Sequence, residues 1–336
     1  MAELRTRYLG LNLPTPLVVA ASPLAREPRC VEALEAAGAG ALVMESLFEE
    51  ELLEEARQAD TDLHQDIGHP EADSFRPPPA TWRGHLEDYL DRLRDYKQRL
   101  GIPVIASLNG VSASGWLDNA RLLAKAGADA LELNLYRIPA DPCESAEQVE
   151  AGYLEVVRAL RRDLTLPLAV KIGPHLTAPL NFARRLAQAG ADAVVIFNRF
   201  YQPDIDLGRR AINLRIQLSQ PQESLLRIRW AALMSGRVDL EIAVTGGFHG
   251  HAETIKALLA GAQVVQFATV LLERGPGALT EIRDGLAGWM DEHEYPDLTA
   301  FRGAMSYLRA ADPGGYERAN YREALHRFDL PPDLCV

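Results

Sequence analysis

The chain has 336 residues, of which 47% are hydrophobic and 24% are charged, so it is long enough and apolar enough to bury a large core. The net charge of −12 argues against a nucleic-acid surface, although a local cluster of cations can still hold an anionic ligand. The chain has three widely spaced cysteines, Cys30, Cys143 and Cys335, which predict a reducing cytoplasmic setting with no disulfide and no metal site. No run reaches about 18 apolar residues, so we expect neither a secretion signal nor a membrane partner.

Eight short apolar runs alternate with amphipathic stretches. In chain order, the runs predicted as strands are 17–22, 41–46, 103–109, 130–136, 167–173, 193–198, 241–247 and 264–269. Their continuous apolar character is typical of parallel strands covered on both faces. Amphipathic stretches such as 114–126 and 144–163 predict helices, so the alternation favours an α/β fold and a closed (β/α)8 TIM barrel. We expect a single domain, with the barrel at about 17–291 and a tail of short helices at about 292–336.

Four of the apolar runs follow a glycine that ends the preceding helical pattern. These glycines are Gly38, Gly127, Gly190 and Gly261. Glycine is favoured just after a helix because it adopts the left-handed conformation without a steric penalty. We therefore assign all four a structural role.

Two segments are longer than a minimal barrel needs. The polar stretch 59–82, which includes the turn PPPA, follows the second strand, and 199–222 follows the sixth. Loops that follow barrel strands lie on the C-terminal face, where barrel enzymes build their active sites. Both segments are therefore expected near the functional site.

Polar residues at the ends of the predicted strands are candidates for ligand binding. They are Ser22, Glu45, Ser46, Asn109, Asn134, Lys171 and Asn198. Each isolated asparagine has an ordinary alternative role, which is to cap a turn. Lys171 stands within the apolar run PLAVKIGP, where an ammonium needs an anionic partner such as a phosphate, a carboxylate or a reduced flavin, unless it reaches solvent at the barrel mouth.

The last two strands have the pattern of a phosphate site. TGGF at 245–248 follows strand seven, and QFATVLLERGPG at 266–277 contains the end of strand eight. Barrels often bind phosphate between these two loops with backbone N–H groups and a helix N-terminus. The groups expected to contact the phosphate belong to Gly246, Gly247, Ala268 and Thr269.

The ordered segments PTPLVVAASPLA, IPVIASLNG, ALELNLY, PLAVKIGP, VVIFN, IAVTGG and GAQVVQFATVLLERGPG together resemble the dihydroorotate dehydrogenase family, and its soluble branch most closely. The resemblance covers the chain from about residue 4 to about residue 290. It implies an FMN-binding (β/α)8 barrel that oxidises the small molecule dihydroorotate to orotate in pyrimidine biosynthesis. It also implies a homodimer and, as in some relatives, a partner subunit for electron transfer.

The resemblance also assigns residues to roles. The residues expected to hold FMN are Ala21, Ser22, Asn109, Lys171, Asn198, Gly246, Gly247, Ala268 and Thr269. The residues expected to contact substrate are Glu45, Asn134, Arg137 and Asn198. Asn134 matches the first asparagine of the family's NLSCPN loop, and Lys171 matches the lysine beside the flavin ring.

Several positions depart from the family pattern. Arg137 stands where soluble members have the cysteine that acts as base, and a guanidinium remains protonated and cannot replace it. The candidates for the catalytic set are therefore Lys171 and Asn134 together with Cys143 or Tyr136. Glu45 replaces a family lysine and is a third candidate base. LSQPQE replaces a glycine-rich segment after strand six, and ADSFRPPP replaces an asparagine-rich loop.

Four functions remain open from the sequence. The first is an FMN-dependent dehydrogenase that acts on dihydroorotate. The second is an FMN oxidoreductase on the same scaffold with another small-molecule substrate, and the third is a non-catalytic flavin-binding subunit. The fourth is a barrel isomerase or aldolase that uses Lys171 as a Schiff-base nucleophile.

Overall fold

The computed structural model describes residues 2–55, 57, 84–110, 113–317, 319–327 and 329. The predicted long loop at 59–82 and Cys335 lie outside the described residues.

Eight parallel strands form a closed barrel. Their bounds are β1 Leu17–Val19, β2 Ala41–Phe48, β3 Val104–Asn109, β4 Ala130–Asn134, β5 Leu168–Ile172, β6 Ala193–Ile196, β7 Glu241–Thr245 and β8 Val264–Phe267. Each strand pairs with its neighbours in the chain, and β8 pairs with β1 to close the barrel. The predicted (β/α)8 barrel is therefore confirmed, with every strand boundary within three residues of its prediction.

The helices surround this barrel. Their bounds are α1 Pro28–Ala36, α2 His85–Arg99, α3 Ala113–Lys125, α4 Ala146–Asp163, α5 Pro179–Ala189, α6 Ser224–Met234, α7 His251–Ala260, α8 Thr269–Arg274, α9 Gly277–Glu292 and α10 Ala319–His326, and residues 49–55 are also helical. Helix α4 begins at a capping box in which the Ser145 hydroxyl accepts from the Gln148 amide and the Gln148 side chain accepts from the Ser145 amide. This reciprocal pair explains why the predicted helix 144–163 begins where it does.

The four predicted cap glycines have left-handed backbone conformations. Their φ values are +106° at Gly38, +97° at Gly127, +102° at Gly190 and +110° at Gly261. Each value lies in a region that favours glycine, so each residue lets the chain leave a helix and enter the next strand. The structural role predicted for these glycines is confirmed.

A short N-terminal hairpin, Thr6–Tyr8 paired with Leu11–Leu13, closes the lower end of the barrel. Tyr8 packs among small alanines at the starts of the strands, including Ala41 and Ala130. The Leu9 amide also donates to a carboxylate oxygen of Glu241, the first residue of β7. Because this end is plugged, ligands have access to the barrel from the C-terminal face.

The excursion after β6 contains a second hairpin, Asp204–Asp206 paired with Ala211–Asn213. The described part of the tail consists of short helical turns and α10, as predicted. Among the described helices, none combines the length and the apolar character that crossing a membrane requires.

Candidate functional site

A buried polar cluster crosses the interior of the barrel below its mouth. The Lys171 ammonium on β5 lies 3.2 Å from Oε1 of Glu132 on β4. The Gln266 amide on β8 donates to the other Glu132 oxygen at 2.7 Å. All three residues are more than nine-tenths buried. The anionic partner that the sequence required for Lys171 is therefore supplied by the protein itself, and Lys171 does not extend to solvent.

Sequence reasoning missed Glu132 and Gln266, although both carried a signal. Each is a polar residue in the middle of an apolar strand, which is the same feature that identified Lys171. The single oxygen of the Gln266 amide is buried and has no hydrogen-bond partner among the described residues. A buried acceptor without a partner is costly in a folded protein, so this atom is suited to a donor on a bound ligand.

Two predicted asparagines meet at the ends of β4 and β6. The Asn198 amide donates to the Asn134 side-chain oxygen at 2.7 Å. Asn134 is buried and Asn198 is half-buried. This bond fixes the orientation of both side-chain amides, and the NH2 group of the Asn134 amide remains a donor at the barrel mouth.

The two glycines after β7 form a backbone cradle. Gly246 and Gly247 have φ values of +91° and +85°, which favour glycine. A Cβ at Gly247 would lie 2.4 Å from the backbone nitrogen of Ser224, and one at Gly246 would lie 3.1 Å from a guanidinium nitrogen of Arg227. Both the conformation and the space therefore require glycine here.

Seven of the predicted residues line one cavity at the C-terminal face, which we call the phosphate-loop cavity. They are Ala21, Lys171, Asn198, Gly246, Gly247, Ala268 and Thr269. The cavity encloses about 140 Å³. The C-terminal ends of β1, β5, β6, β7 and β8 therefore meet at this cavity.

Ser219, which was not predicted, joins the loop after β6 to this cavity. Its hydroxyl donates to the Thr269 hydroxyl at 2.9 Å and accepts from the Gly247 amide at 3.2 Å. The His249 ring lies 3.0 Å from the Ser219 carbonyl oxygen. The segment after β6, which departs from the family pattern, therefore forms part of the cradle.

A cluster of two arginines and one glutamate lies behind the glycines. Arg227 is 5% exposed and donates to the carbonyl oxygens of Thr245 at 3.1 Å and Glu223 at 2.9 Å. Arg199 lines the cavity and lies 3.1 Å from a Glu223 oxygen. The cluster has one more positive than negative charge, so it favours an anion beside the glycine loop.

Burial and charge set the pKa values in this cluster. Burial lowers the pKa of the Arg227 guanidinium, and the Glu223 carboxylate opposes that effect. For Glu223, burial raises the pKa, but the Gln220 backbone hydrogen bond and the Arg199 guanidinium outweigh it and lower the pKa below its usual value. The carboxyl therefore stays ionised and continues to orient both arginines.

Two predicted FMN contacts, Ser22 and Asn109, do not line the phosphate-loop cavity. Ser22 is buried, and its hydroxyl has no hydrogen-bond partner among the described residues. Asn109 is buried at the end of β3. Their assignment to FMN stays a prediction.

The candidate bases are not brought into the phosphate-loop cavity. Cys143 is exposed on the loop before α4, and its amide donates to Asp141. The Tyr136 hydroxyl accepts from the Tyr201 amide at 2.9 Å. Glu45 forms a bidentate ion pair with Arg26 in a different depression, beside α2. Their catalytic roles stay predictions.

Arg137, at the position of the family's base, is turned to one side. Its guanidinium donates to Glu144 at 2.6 Å, and the residue lines a second cavity described below. No group of three or more His, Cys, Asp or Glu residues within the described ranges has metal-binding geometry.

The closed (β/α)8 barrel has a glycine cradle and a net positive cluster at its β7 and β8 loops, an arrangement that favours an anion and that many barrels use for phosphate. The dihydroorotate dehydrogenase family model matches residues 83–290, more than half of the chain. The chain belongs to the dihydroorotate dehydrogenase family, which places it among dihydroorotate dehydrogenase-like oxidoreductases.

Similar proteins include catalytic subunits of dihydroorotate dehydrogenase B (NAD(+)). The Pyrococcus abyssi protein is 24% identical over 300 residues, covering 88% of this chain and 96% of the relative. The Thermoplasma acidophilum protein is 24% identical over 310 residues, covering 89% and 97%. The Alkaliphilus metalliredigens protein is 23% identical over 233 residues, covering 66% and 74%. The similarity is low throughout but extends over most of the barrel.

Proposed function

We propose that this protein is an FMN-dependent oxidoreductase whose substrate is dihydroorotate, which it oxidises to orotate. The observation that carries the proposal is the convergence of Lys171, Asn198, Gly246, Gly247 and Thr269 on one cavity at the C-terminal face. A ligand with a phosphate at one end and a polar heterocycle at the other matches this combination of donors.

The residues of the cavity fit FMN in charge and in space. The cradle at Gly246 and Gly247 leaves no room for a Cβ, so the backbone itself can approach a phosphate. Arg199 and Arg227 supply positive charge beside it, and Lys171 also lines the cavity. The enclosed volume of about 140 Å³ suits the phosphate and one edge of a ring, so the rest of the ligand would extend over the barrel mouth.

Bound FMN would supply a hydride acceptor. The protein's own residues would position the flavin and the substrate. The Glu132–Lys171 pair fixes an ammonium beneath the mouth, and the Asn134–Asn198 pair presents amide donors to the carboxylate and ring oxygens of a substrate. The plugged lower end of the barrel leaves the C-terminal face as the route of entry.

The proposal is tested by anaerobic titration of the FMN-loaded protein with dihydroorotate. We expect loss of the flavin absorbance and formation of orotate in equal amounts. A flavin that dithionite bleaches and dihydroorotate does not would refute the substrate. An Asn134→Ala variant should lose reduction by dihydroorotate while it retains FMN.

A second candidate is the same flavin chemistry on another small molecule. It is favoured by the arrangement of the loop after β4, where Arg137 is paired with Glu144 and Cys143 is exposed. A proton must leave the substrate carbon when dihydroorotate is oxidised, and neither residue is placed at the cavity to accept it. Reduction of the bound flavin by a different cyclic substrate, with dihydroorotate inert, would establish this candidate.

The partner proteins are part of the same proposal. Because these relatives are named catalytic subunits, we propose an electron-transfer partner subunit. The resemblance to the family adds a homodimeric barrel to the proposal. A third candidate, the flavin-binding subunit without its own substrate, predicts that flavin is reduced only through such a partner. Because the chain belongs to a family of oxidoreductases, we do not propose the fourth function, a Schiff-base isomerase or aldolase.

A further inference from the structure

A second cavity of about 320 Å³ lies at the rim of the C-terminal face, and we call it the aromatic cavity. Its walls come from the segments after β4, β5 and β6 and from helices α4 and α5. It shares no lining residue with the phosphate-loop cavity. An inference about the aromatic cavity therefore does not depend on the proposed flavin.

The walls are mainly rings and aliphatic side chains. Tyr153, Phe182, Phe200 and Tyr201 line the cavity, together with the His175 ring. Aliphatic carbon from residues such as Val149 completes the lining. Ring faces and edges prefer to pack against another ring in stacked or edge-to-face geometry, and the volume lies within the usual range for small-molecule sites.

The aromatic walls are held in place by contacts with one another and with the neighbouring Tyr136. Phe200 packs edge-to-face against Tyr136 with ring centroids 4.6 Å apart, and against His175 at 5.2 Å. A Cβ at Gly173 would lie 2.5 Å from the tip of the Phe200 ring, so that ring rests directly on the Gly173 backbone. The Tyr136 hydroxyl accepts from the Tyr201 amide. A cavity whose walls are already fixed requires little ordering when a ligand binds.

The lining offers no unopposed charge for an ionic ligand. The one guanidinium among the described lining residues, that of Arg137, is paired with Glu144 at 2.6 Å. Burial of a carboxylate against these rings would leave that charge without a free partner, which is costly. An uncharged ring loses less hydration and gains contact with the aromatic walls.

We propose that the aromatic cavity is a second ligand site of this protein and that it binds an uncharged molecule with an aromatic ring. Residues that line the aromatic cavity directly follow, in the sequence, residues that line the phosphate-loop cavity. Asn198 and Arg199 line the phosphate-loop cavity, whereas Phe200 and Tyr201 line the aromatic cavity. An occupant therefore contacts the segment that continues from the residues of the flavin site.

Direct binding of 1-naphthol, measured by isothermal titration calorimetry, tests this proposal on the full chain. We expect saturable binding of one molecule per chain, and binding of the anion 1-naphthoate that is at least tenfold weaker. Val149→Trp, which fills the cavity from α4, should weaken 1-naphthol at least tenfold. Ile138→Asp places a charge at the cavity lip and should have a similar effect.

Ile212→Asp is the matched control. Ile138 is 59% exposed and Ile212, on the hairpin after β6, is 68% exposed, so neither change disturbs the core. Ile138→Asp therefore remains informative even when Val149→Trp fails to fold. No saturable binding of 1-naphthol, equal affinity for 1-naphthoate, or equal effects of Ile138→Asp and Ile212→Asp would each overturn the proposal. FMN binding, measured on the same variants, should be unchanged and reports separately on the proposed function.

Discussion

Replacement of Arg227 by methionine should reduce the affinity for FMN and leave the affinity for riboflavin unchanged. The Arg227 guanidinium is buried directly behind Gly246, where it fixes the Thr245 carbonyl and supplies positive charge to the glycine cradle. Riboflavin has the same ring system as FMN without the phosphate. The ratio of the two dissociation constants therefore isolates the contribution of the phosphate from that of the ring.

The magnitude follows from the position of the charge. At an effective dielectric constant of about 20, a unit charge roughly 6 Å from an anion contributes about 3 kcal/mol, and water over the mouth screens part of this. We therefore expect a loss of about 1.4–2.8 kcal/mol, or 10- to 100-fold in the dissociation constant for FMN. Arg227→Lys retains the charge without the two contacts to the Thr245 and Glu223 carbonyl oxygens, and its affinity should lie between those of wild type and Arg227→Met.

The assay is quenching of flavin fluorescence as FMN or riboflavin is titrated with flavin-free protein. Arg229→Met is the matched control, because Arg229 lies on the same helix and donates instead to the Tyr316 carbonyl on the tail. The reasoning is refuted when Arg227→Met weakens both flavins equally or neither. Thermal unfolding of each variant without flavin shows whether the fold is retained.

Three further predictions concern the cluster inside the barrel and the cradle. Lys171→Met should lower the free energy of unfolding in urea by about 3–5 kcal/mol, because it leaves the Glu132 carboxylate buried without its partner. The double variant that also carries Glu132→Gln should recover most of the loss. A double variant as unstable as Lys171→Met alone would contradict this prediction. Gly247→Ala should weaken FMN binding more than tenfold, because its Cβ would lie 2.4 Å from a backbone nitrogen. Gly277→Ala is the control and should leave FMN binding unchanged, because its Cβ would meet nothing within 4 Å. Equal effects of the two variants on FMN affinity would count against the cradle. The fold lowers the pKa of Glu223, so its ionised form stabilises the protein. This stabilisation is complete above the ordinary pKa of about 4.3 and is lost as the pH falls through the lower folded pKa. The difference in unfolding free energy between wild type and Glu223→Gln should therefore be present at pH 7 and disappear in acid, and a difference independent of pH would exclude this contribution.

The barrel could be predicted from the sequence because its signals are local. Eight continuous apolar runs, and cap glycines such as Gly38 and Gly190, recur along the chain and need no knowledge of tertiary contacts. The glycine pair at 246–247 was recognisable for the same reason, since it follows a strand at the expected end of the barrel. The hairpin at the lower end was missed because each of its strands has only three residues.

The rest of the site depends on contacts between residues far apart in the chain. Glu132 meets Lys171 across 39 positions and Gln266 across 134, so the sequence shows each polar residue without showing its partner. Arg227 lies on an ordinary helix, and its contact with the Thr245 carbonyl at the end of β7 is a tertiary contact that its place in the sequence does not reveal. The pairing of Arg137 with Glu144 could not be read from the position of either residue in the sequence.

The central claim is that the phosphate-loop cavity binds FMN, and the most direct test is a visible absorption spectrum of the purified protein before and after incubation with FMN and removal of excess flavin. We predict a retained flavin spectrum with about one FMN per chain, and a clearly smaller amount of retained FMN in Gly247→Ala. A protein that retains no flavin after incubation, or retains the same amount when the cradle glycine is replaced, would contradict the account.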